Sequence, residues 1–121
     1  MVVTVKIPGP PMWKERPRFD RRSGKPYTPK ATKDAEELVG TLVRLRCREP
    51  LDGPVRVTLA VRVGPMRERP DIDNFAKLVL DACNKIAWHD DRQVVELHVY
   101  LERDSMTPGT DIQIERVEEA P

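Results

Sequence analysis

Two pairs of aspartates stand at spacings that can bring carboxylates together. Asp71 and Asp73 are two residues apart and follow Pro70, while Asp90 and Asp91 are adjacent. If an extended backbone continues from the proline, the carboxylates of Asp71 and Asp73 point to the same side. Carboxylates held a few ångströms apart repel each other, so the arrangement is costly unless a cation compensates it.

The oxygen-rich character of the first pair favours a hard metal ion. Carboxylates with no histidine or cysteine close by suit Mg²⁺ or Mn²⁺ rather than zinc. Three carboxylates can hold one or two such ions, which activate a water for in-line attack on a phosphodiester. The plainer interpretation is that Asp73 is only the N-cap of a helix and that Asp71 is solvated.

Two further polar residues follow on the same predicted helix. Lys77 is four residues after Asp73 and lies opposite the apolar stripe, where it can balance a carboxylate or reach a scissile phosphate. Asp81 follows after another four residues and is placed to orient Lys77. The alternative interpretation is that Lys77 forms an ordinary surface ion pair with Asp73 and that Asp81 is simply an exposed residue of the helix surface.

The net charge of +1 conceals two opposite halves of the chain. Residues 1–50 carry twelve Lys and Arg against six Asp and Glu, a net charge of +6, and residues 51–121 carry a net charge of −5. The excess lies in a basic segment, whose candidate phosphate contacts are Lys14, Arg16, Arg18, Arg21, Arg22 and Lys25. Arg67 and Arg69 directly precede the first aspartate pair. These cations predict a nucleic-acid partner held by its phosphates.

Three aromatic residues interleave with the basic segment: Trp13, Phe19 and Tyr27. Such residues can stack on unpaired bases of a nucleic acid. Packing within the core or the loop is the interpretation that we favour for them.

Hydrophobic periodicity predicts the elements that must position these residues. Val3 to Ile7 alternate as a first strand, a basic Pro-rich binding loop occupies residues 8–28, and a helix then runs to about Cys47. The remaining elements are a strand over 55–63, a helix capped by Asp73 or Asn74 that continues to Ile86, a strand over 95–101 and a strand around Ile112 and Ile114.

The order βαβαββ predicts an α/β (α+β) fold, a two-layer sandwich of a small mixed β-sheet with two helices. The first helix is expected to begin with Thr28 as N-cap and Pro29 in its first turn, and to bury a stripe that includes Ala31, Leu38 and Leu45. We expect one domain over residues 1–121, with residues 118–121 as a frayed tail.

Length and composition exclude several classes of protein. The 121 residues suffice for one core without disulfides, and the longest apolar runs are far shorter than the ~20 residues that cross a bilayer. Cys47 and Cys83 lie far apart on predicted apolar helix faces, so we expect buried thiols in a reducing cytoplasm rather than a disulfide or a zinc site.

The motifs that contain the aspartates resemble those of a known family. The run Arg69-Pro70-Asp71-Ile72-Asp73-Asn74-Phe75, with Lys77, Leu80-Asp81-Ala82 and Trp88-His89-Asp90-Asp91-Arg92-Gln93-Val94, closely resembles the signature of the RusA-type Holliday-junction resolvases. Pro8, Arg16-Pro17-Arg18-Phe19 and Tyr27-Thr28-Pro29-Lys30 look like the corresponding stretches of prophage-encoded members. The resemblance covers nearly the whole chain.

This resemblance implies a homodimeric endonuclease that cuts four-way DNA junctions by paired nicks in recombination and repair. It implies Mg²⁺, with Mn²⁺ as a substitute, and neither an organic cofactor nor a membrane partner. Asp71, Asp73 and Asp91 would be the metal ligands, Lys77 the functional lysine, and Asp90 a supporting residue. The expected location is the cytoplasm of a bacterium, on the nucleoid, with a bacterial or phage gene as the source.

Three questions stay open at this point. Asp91 either returns to the first aspartate pair within one chain or completes the site of a partner subunit, since the second helix carries the chain roughly 20 Å away from Asp73. The dimer surface is expected on apolar strand faces that the helices leave uncovered, including Val94 and Tyr100. A non-catalytic module that binds branched DNA, or a nuclease acting on flaps or RNA, are the alternative functions.

Overall fold

The computed structural model of the chain describes residues 2–10, 18–27, 29–65 and 71–118. In chain order, its elements are β1 (Val2–Pro8), β2 (Arg18–Phe19), β3 (Pro26–Tyr27), α1 (Lys30–Arg46), β4 (Val55–Arg62), α2 (Ile72–Cys83), a 3₁₀ turn (Asp91–Gln93), β5 (Val94–Glu102) and β6 (Gly109–Arg116). The predicted mixed sheet with two helices is confirmed. The segment 8–28, expected to lack regular structure, contains the small β2–β3 hairpin.

The main sheet has the strand order β1-β6-β4-β5. β6 is antiparallel to both β1 and β4, whereas β4 and β5 are parallel, so that Val55 pairs with Val94 and Arg62 with Glu102. A parallel pair needs a crossover, and α2 supplies it by running back along the sheet between the two strands. β5 is therefore an edge strand that begins at the same end of the sheet as β4.

The core lies between this sheet and the two helices. Along β4 the side chains alternate as the sequence predicts: Val55, Val57, Leu59 and Val61 are buried. The opposite face is polar and carries ion pairs, because Arg56 bonds to both Glu96 and Glu115 across three strands, and Arg62 pairs with Asp111 at 2.8 Å. Among the described residues, the helices thus cover one face of the sheet and leave the other, polar face open.

Helix α1 buries a narrower stripe than its sequence suggests. Its buried residues are Thr32, Ala35, Val39, Gly40 and Val43. Ala31, Leu38 and Leu45 were predicted to be buried, but the structure exposes them, with Leu38 at 47% and Leu45 at 74%. The physical reason is the close approach of α2 at Gly40, where an added Cβ would lie 3.3 Å from the Ala82 carbonyl oxygen and 3.1 Å from the Ile86 side chain just beyond the helix. The face of α1 that contains Gly40 therefore turns inward.

The N-terminus of α1 differs slightly from expectation. The helix begins at Lys30, and Pro29, expected as its first residue, occupies the N-cap position with an extended backbone. Thr28, which was expected as the cap, lies outside the described residues, as do residues 119–121 of the expected tail.

Both cysteines are buried free thiols, as predicted. Burial raises the pKa of Cys47, and it raises the pKa of Cys83 to about 12, with smaller contributions from Cys47 and from the charge of Asp91. In the part of the chain that the structure describes, no helix is long and apolar enough to cross a membrane.

Candidate active site

Asp71 is the N-cap of α2, which corrects the prediction that Asp73 or Asn74 holds that position. Its Oδ1 accepts hydrogen bonds from the backbone N–H groups of Asp73 at 3.1 Å and Asn74 at 3.3 Å, and its Oδ2 accepts from the Asn74 side-chain amide at 3.0 Å. The extended backbone therefore stops at Asp71 itself, and Asp73 lies in the first turn of the helix. The orientation of Asp71 is fixed by three donors.

Asp73 and Lys77 form the ion pair that their spacing predicts. Asp73 Oδ2 lies 3.5 Å from Lys77 Nζ, and the two side chains are 76% and 59% exposed, respectively. Both carboxylates of the first pair also lie at the positive end of the helix dipole, which favours negative charge there. This end of α2 therefore presents two carboxylates and one ammonium group to solvent.

Asp91 is oriented by a tryptophan from the core. The indole Nε1–H of Trp88 donates to Asp91 Oδ1 at 2.8 Å, and the Trp88 side chain is fully buried. Among the described residues, none donates a hydrogen bond to Oδ2 of Asp91. A rigid aromatic donor thus holds one oxygen while the other stays available.

The turn that carries Asp90 and Asp91 is tied to the chain before β4. Asp90 caps the 3₁₀ turn by accepting from Arg92 N–H at 2.8 Å, and Gln93 Oε1 accepts from the N–H groups of His89 and Asp90. Gln93 Nε2 donates to the carbonyls of Leu51 and Gly53, both at 2.8 Å.

Sequence reasoning missed the structural role of Gln93. The signal was present, because an aspartate followed three residues later by glutamine is a capping-box pattern. The structure also pairs His89 with a residue that the sequence does not indicate, since its Nε2 lies 2.8 Å from Asp52 Oδ1.

The two aspartate pairs lie at opposite ends of the helix layer. Residues 84–88 adjoin the chain that leads into β4, since Trp88 bridges to Leu51 and Leu51 N–H donates to Ala87. From there α2 runs about 18 Å to its N-terminus at Asp71. Accordingly, the described residues contain no group of three or more His, Cys, Asp or Glu side chains close enough to hold one metal ion.

The described part of the basic segment is an exposed hairpin. Asp20 organises its turn by accepting from Arg22 N–H at 2.8 Å, while its own N–H donates to the Lys25 carbonyl at 2.9 Å. Gly24 supplies the positive φ of +70° that the turn needs. Arg21, Arg22 and Lys25 therefore project from a structured turn and are exposed.

The aromatic residues beside this turn are not in the core. Phe19 is 70% exposed and Tyr27 is 47% exposed, which overturns core packing for these two. Their exposure leaves both rings accessible to a nucleic acid.

For the remaining predicted site residues, the structure gives little or no information about the predicted role. Asp81 lies one turn after Lys77 and lines a groove between α1 and α2 with Lys33 and Arg44. Lys14, Arg16, Arg67, Arg69 and Trp13 lie outside the described residues, and so does the side chain of Arg18. Their predicted roles stay predictions.

The comparison with family models identifies the family to which the chain belongs. The model for endodeoxyribonuclease RusA matches residues 8–115, which include both aspartate pairs, Lys77 and the hairpin. The chain belongs to the RusA family. A comparison with curated proteins gave no match.

Membership of the RusA family implies an endodeoxyribonuclease that acts on branched DNA junctions. In an enzyme of this family, the carboxylates at the N-terminus of α2 and in the Asp90-Asp91 turn are candidates for phosphodiester chemistry, and the cations of the hairpin are candidates for contacts to the DNA backbone.

Proposed function

We propose that the chain is a metal-dependent, structure-specific endonuclease that resolves Holliday junctions by paired phosphodiester hydrolysis. The observation that carries this proposal is the pair Asp71 and Asp73 at the N-terminus of α2, in a chain whose RusA match extends over residues 8–115. Resolution of four-way junctions belongs to DNA recombination and repair, and we assign the protein to those processes in a bacterial or phage setting.

The donor atoms of the site fit Mg²⁺, or Mn²⁺ in its place. Asp73 is exposed, Asp91 keeps one oxygen without a described donor, and Oδ2 of Asp71, which accepts a single hydrogen bond, retains lone-pair capacity. All of these are hard carboxylate oxygens, which octahedral Mg²⁺ prefers. A bound ion would supply a nucleophile from water and stabilise the leaving oxygen.

The side chains of this chain have distinct tasks in the proposed site. Asp71 and Asp73 would hold the ion at the N-terminus of α2. Asp91, which Trp88 orients and which lies at the other end of α2 within one chain, would contribute a third carboxylate from a second copy in the proposed dimer. Lys77 balances the charge of Asp73 in the free protein and is placed to contact the phosphate at the cut. Asp90 supports Asp91 by capping its turn, and Asp81 is proposed to orient Lys77.

Binding of the DNA backbone falls to the basic segment. Arg21, Arg22 and Lys25 would contact phosphates from the hairpin, and Phe19 and Tyr27 would stack on bases opened at the junction centre. We assign the same phosphate-binding role to Lys14, Arg16, Arg18, Arg67 and Arg69. Because two strands must be cut at related positions, a homodimer with two-fold symmetry suits the substrate.

A synthetic four-way junction with Mg²⁺ tests the proposed activity. The wild-type protein is expected to nick opposite strands at symmetric positions, and Asp73→Asn is expected to bind the junction without cutting it. Asp34→Asn, which changes an exposed aspartate on α1, is the matched control and should cut normally. An intact junction with wild-type protein, or undiminished cutting by Asp73→Asn, would refute the proposal.

Titration with Mg²⁺ separates the proposed nuclease from a module that only binds DNA. Metal bound to the folded state raises the melting temperature, so millimolar Mg²⁺ should stabilise the wild type more than Asp73→Asn. A binding module would show no such difference and would yield no product. Flap and RNA substrates, tested in parallel, would reveal a related nuclease if they are cut faster than the junction.

A further inference from the structure

A cavity at the C-terminal end of α1 has no role in the proposed nuclease site. Its volume is about 580 Å³, and it is lined by residues from the end of α1, the loop that leads to β4, the start of β1 and the end of β6. Ligand sites in proteins typically have volumes of roughly 300–1,000 Å³. The cavity is therefore large enough to hold a ligand.

Three exposed arginines line this cavity: Arg46, Arg48 and Arg116. In the part of the chain that the structure describes, no carboxylate forms an ion pair with any of the three guanidinium groups. Arg46 also complements the dipole of α1 from its last turn, but Arg116 lies on a strand, where the helix dipole does not explain it. These groups are available to an anion from outside the chain.

Two carboxylates of the cavity offset this positive charge only in part. Asp52 is engaged by His89, whose Nε2 lies 2.8 Å from Asp52 Oδ1, and Glu49 is the second carboxylate. Three guanidinium groups thus face two carboxylates. Arginine binds carboxylate and phosphate groups through two parallel N–H donors, so the cavity favours an anionic group of one of these kinds.

The rest of the lining is apolar. Val3, Pro50 and Leu51 are half-buried, and Cys47 is 5% exposed. Val3 and Leu51 also pack against the hydrophobic core. An aliphatic side chain would bury apolar surface against these residues, whereas the phosphodiester backbone of a nucleic acid carries no such group. The cavity therefore suits an anion that is joined to an apolar group.

The cavity adjoins an unpaired strand edge. Val3 belongs to β1, and among the described strands β1 pairs only with β6. An extended peptide can add to such an edge through main-chain hydrogen bonds while its side chains enter adjacent pockets. A nucleic acid cannot form this ladder, so the strand edge favours a peptide as the ligand.

We propose that this cavity binds the C-terminus of a partner protein, an acidic peptide that ends in apolar residues. The terminal carboxylate pairs with Arg48 and Arg116, and the last side chain packs on Leu51. The preceding residues of the peptide follow the edge of β1. This inference is independent of the proposed nuclease activity, since it uses none of the residues assigned to that site.

A synthetic peptide tests the ligand chemistry with the full chain. The fluorescent probe consists of several aspartates followed by two leucines and a free carboxylate, and its anisotropy reports binding. The wild type should bind this probe, and either amidation of the carboxylate or replacement of both leucines with serine should weaken binding by about tenfold or more. Absence of binding, or equal affinity for all three peptides, would overturn the proposal.

Paired variants test the location of the peptide. Arg48→Ala combined with Arg116→Ala should weaken binding of the probe by about tenfold or more. Lys33→Ala combined with Arg44→Ala removes the same charge from the groove between α1 and α2 and should bind as the wild type does. Thermal melting verifies that both variants are folded. Equal weakening by the two, or weakening by the second alone, would overturn the proposal.

Binding of a four-way junction distinguishes a peptide from a nucleic acid as the occupant. Arg48→Ala combined with Arg116→Ala should bind the junction with an affinity close to that of the wild type, because the proposed ligand is a peptide. The same anisotropy assay, with a labelled junction in place of the peptide, gives this affinity. A loss of junction affinity as large as the loss of peptide affinity would assign these arginines to the DNA interface and refute the proposal.

Discussion

At the scale of single residues, Asp71 has two roles that depend on the same carboxylate. Its carboxylate caps α2 through hydrogen bonds to two backbone N–H groups, and the same carboxylate is a proposed metal ligand. The cap fixes the carboxylate of Asp71 without the metal, so this one proposed ligand is preorganised. A substitution at this position therefore affects stability and chemistry by different amounts.

Two variants of Asp71 should separate these tasks. Asp71→Ala removes the cap and should lower the free energy of unfolding by about 1 kcal/mol, whereas Asp71→Asn, a good N-cap, should cost much less. Both should lose junction cleavage. Urea unfolding and a cleavage assay on the same preparations check this, and equal stability of the two variants would contradict the capping role.

At the scale of elements, the turn before β5 is held by one glutamine. Gln93 makes four hydrogen bonds, two within the turn and two to the chain before β4. A buried or half-buried polar group that loses its hydrogen-bond partner lowers the stability of the fold. Removal of the Gln93 side chain would leave its backbone partners unpaired, and this cost is larger than the net contribution of the hydrogen bonds themselves. The turn depends on this residue for its shape.

Gln93→Ala should therefore destabilise the protein by roughly 1–3 kcal/mol. Gln113→Ala, which removes an exposed glutamine from the open face of the sheet, is the matched control and should change stability by less than about 0.5 kcal/mol. Urea denaturation gives both values. A loss at Gln93 no greater than at Gln113 would show that the turn is held by other contacts.

The β2–β3 hairpin should control how DNA affinity depends on salt. Replacing Arg21, Arg22 and Lys25 with alanine should weaken junction binding and reduce the slope of log affinity against log salt by up to about 3. A matched variant removes the same charge from the end of α1, at Arg44, Arg46 and Arg48. Fluorescence anisotropy over a salt series compares the two, and a smaller slope change for the hairpin variant would contradict its role.

The elements themselves could be predicted from periodicity, and the positions of the sites only in part. Alternation identified β4, and the spacing of Asp73 and Lys77 predicted their ion pair. The cap at Asp71 was missed because the assumption of an extended backbone up to Asp73 ignored that Asp71 could end it. The exposure of Leu38 was missed because apolar residues spaced three and four apart along α1 do not show which side of that helix packs against α2.

At the scale of the whole molecule, strand direction determines the end of the sheet at which Asp91 lies. Nothing in the local pattern around Asp91 says whether β5 is parallel or antiparallel to β4, and only that choice sets the end of the sheet at which Asp91 lies. Long-range pairing is the information that a single sequence lacks. The length of the helix, by contrast, was predicted closely, although α2 ends at Cys83 rather than at Ile86, and this length already placed Asp91 far from Asp73.

The stability of the whole protein should fall at alkaline pH because of its buried thiols. The folded thiol of Cys83 stays protonated to a pKa of about 12, whereas its ordinary value is 9.0. Between these values the unfolded chain binds fewer protons than the folded one, so the free energy of unfolding decreases as pH rises above 9. Below pH 9 this contribution is fully present.

Urea denaturation between pH 7 and pH 11 should reveal this slope. Each such thiol contributes at most about 1.4 kcal/mol per pH unit. Cys83→Ala removes the contribution of one thiol and should flatten the alkaline limb, although it lowers stability at pH 7 by leaving a small cavity. An unchanged slope in that variant would show that other groups cause the alkaline loss.

The hydrogen bonds of Gln93 to Leu51 and Gly53 also bear on the order of folding. They join residues 42 and 40 positions apart, so they close only after β4, α2 and the following turn have formed. Contacts of such long sequence separation form late, because the entropy of closing the loop is lost before they compensate it. A chain still emerging from the ribosome can close these bonds only after residue 93 has emerged, so the turn that orients Asp91 is among the last parts of the molecule to become ordered.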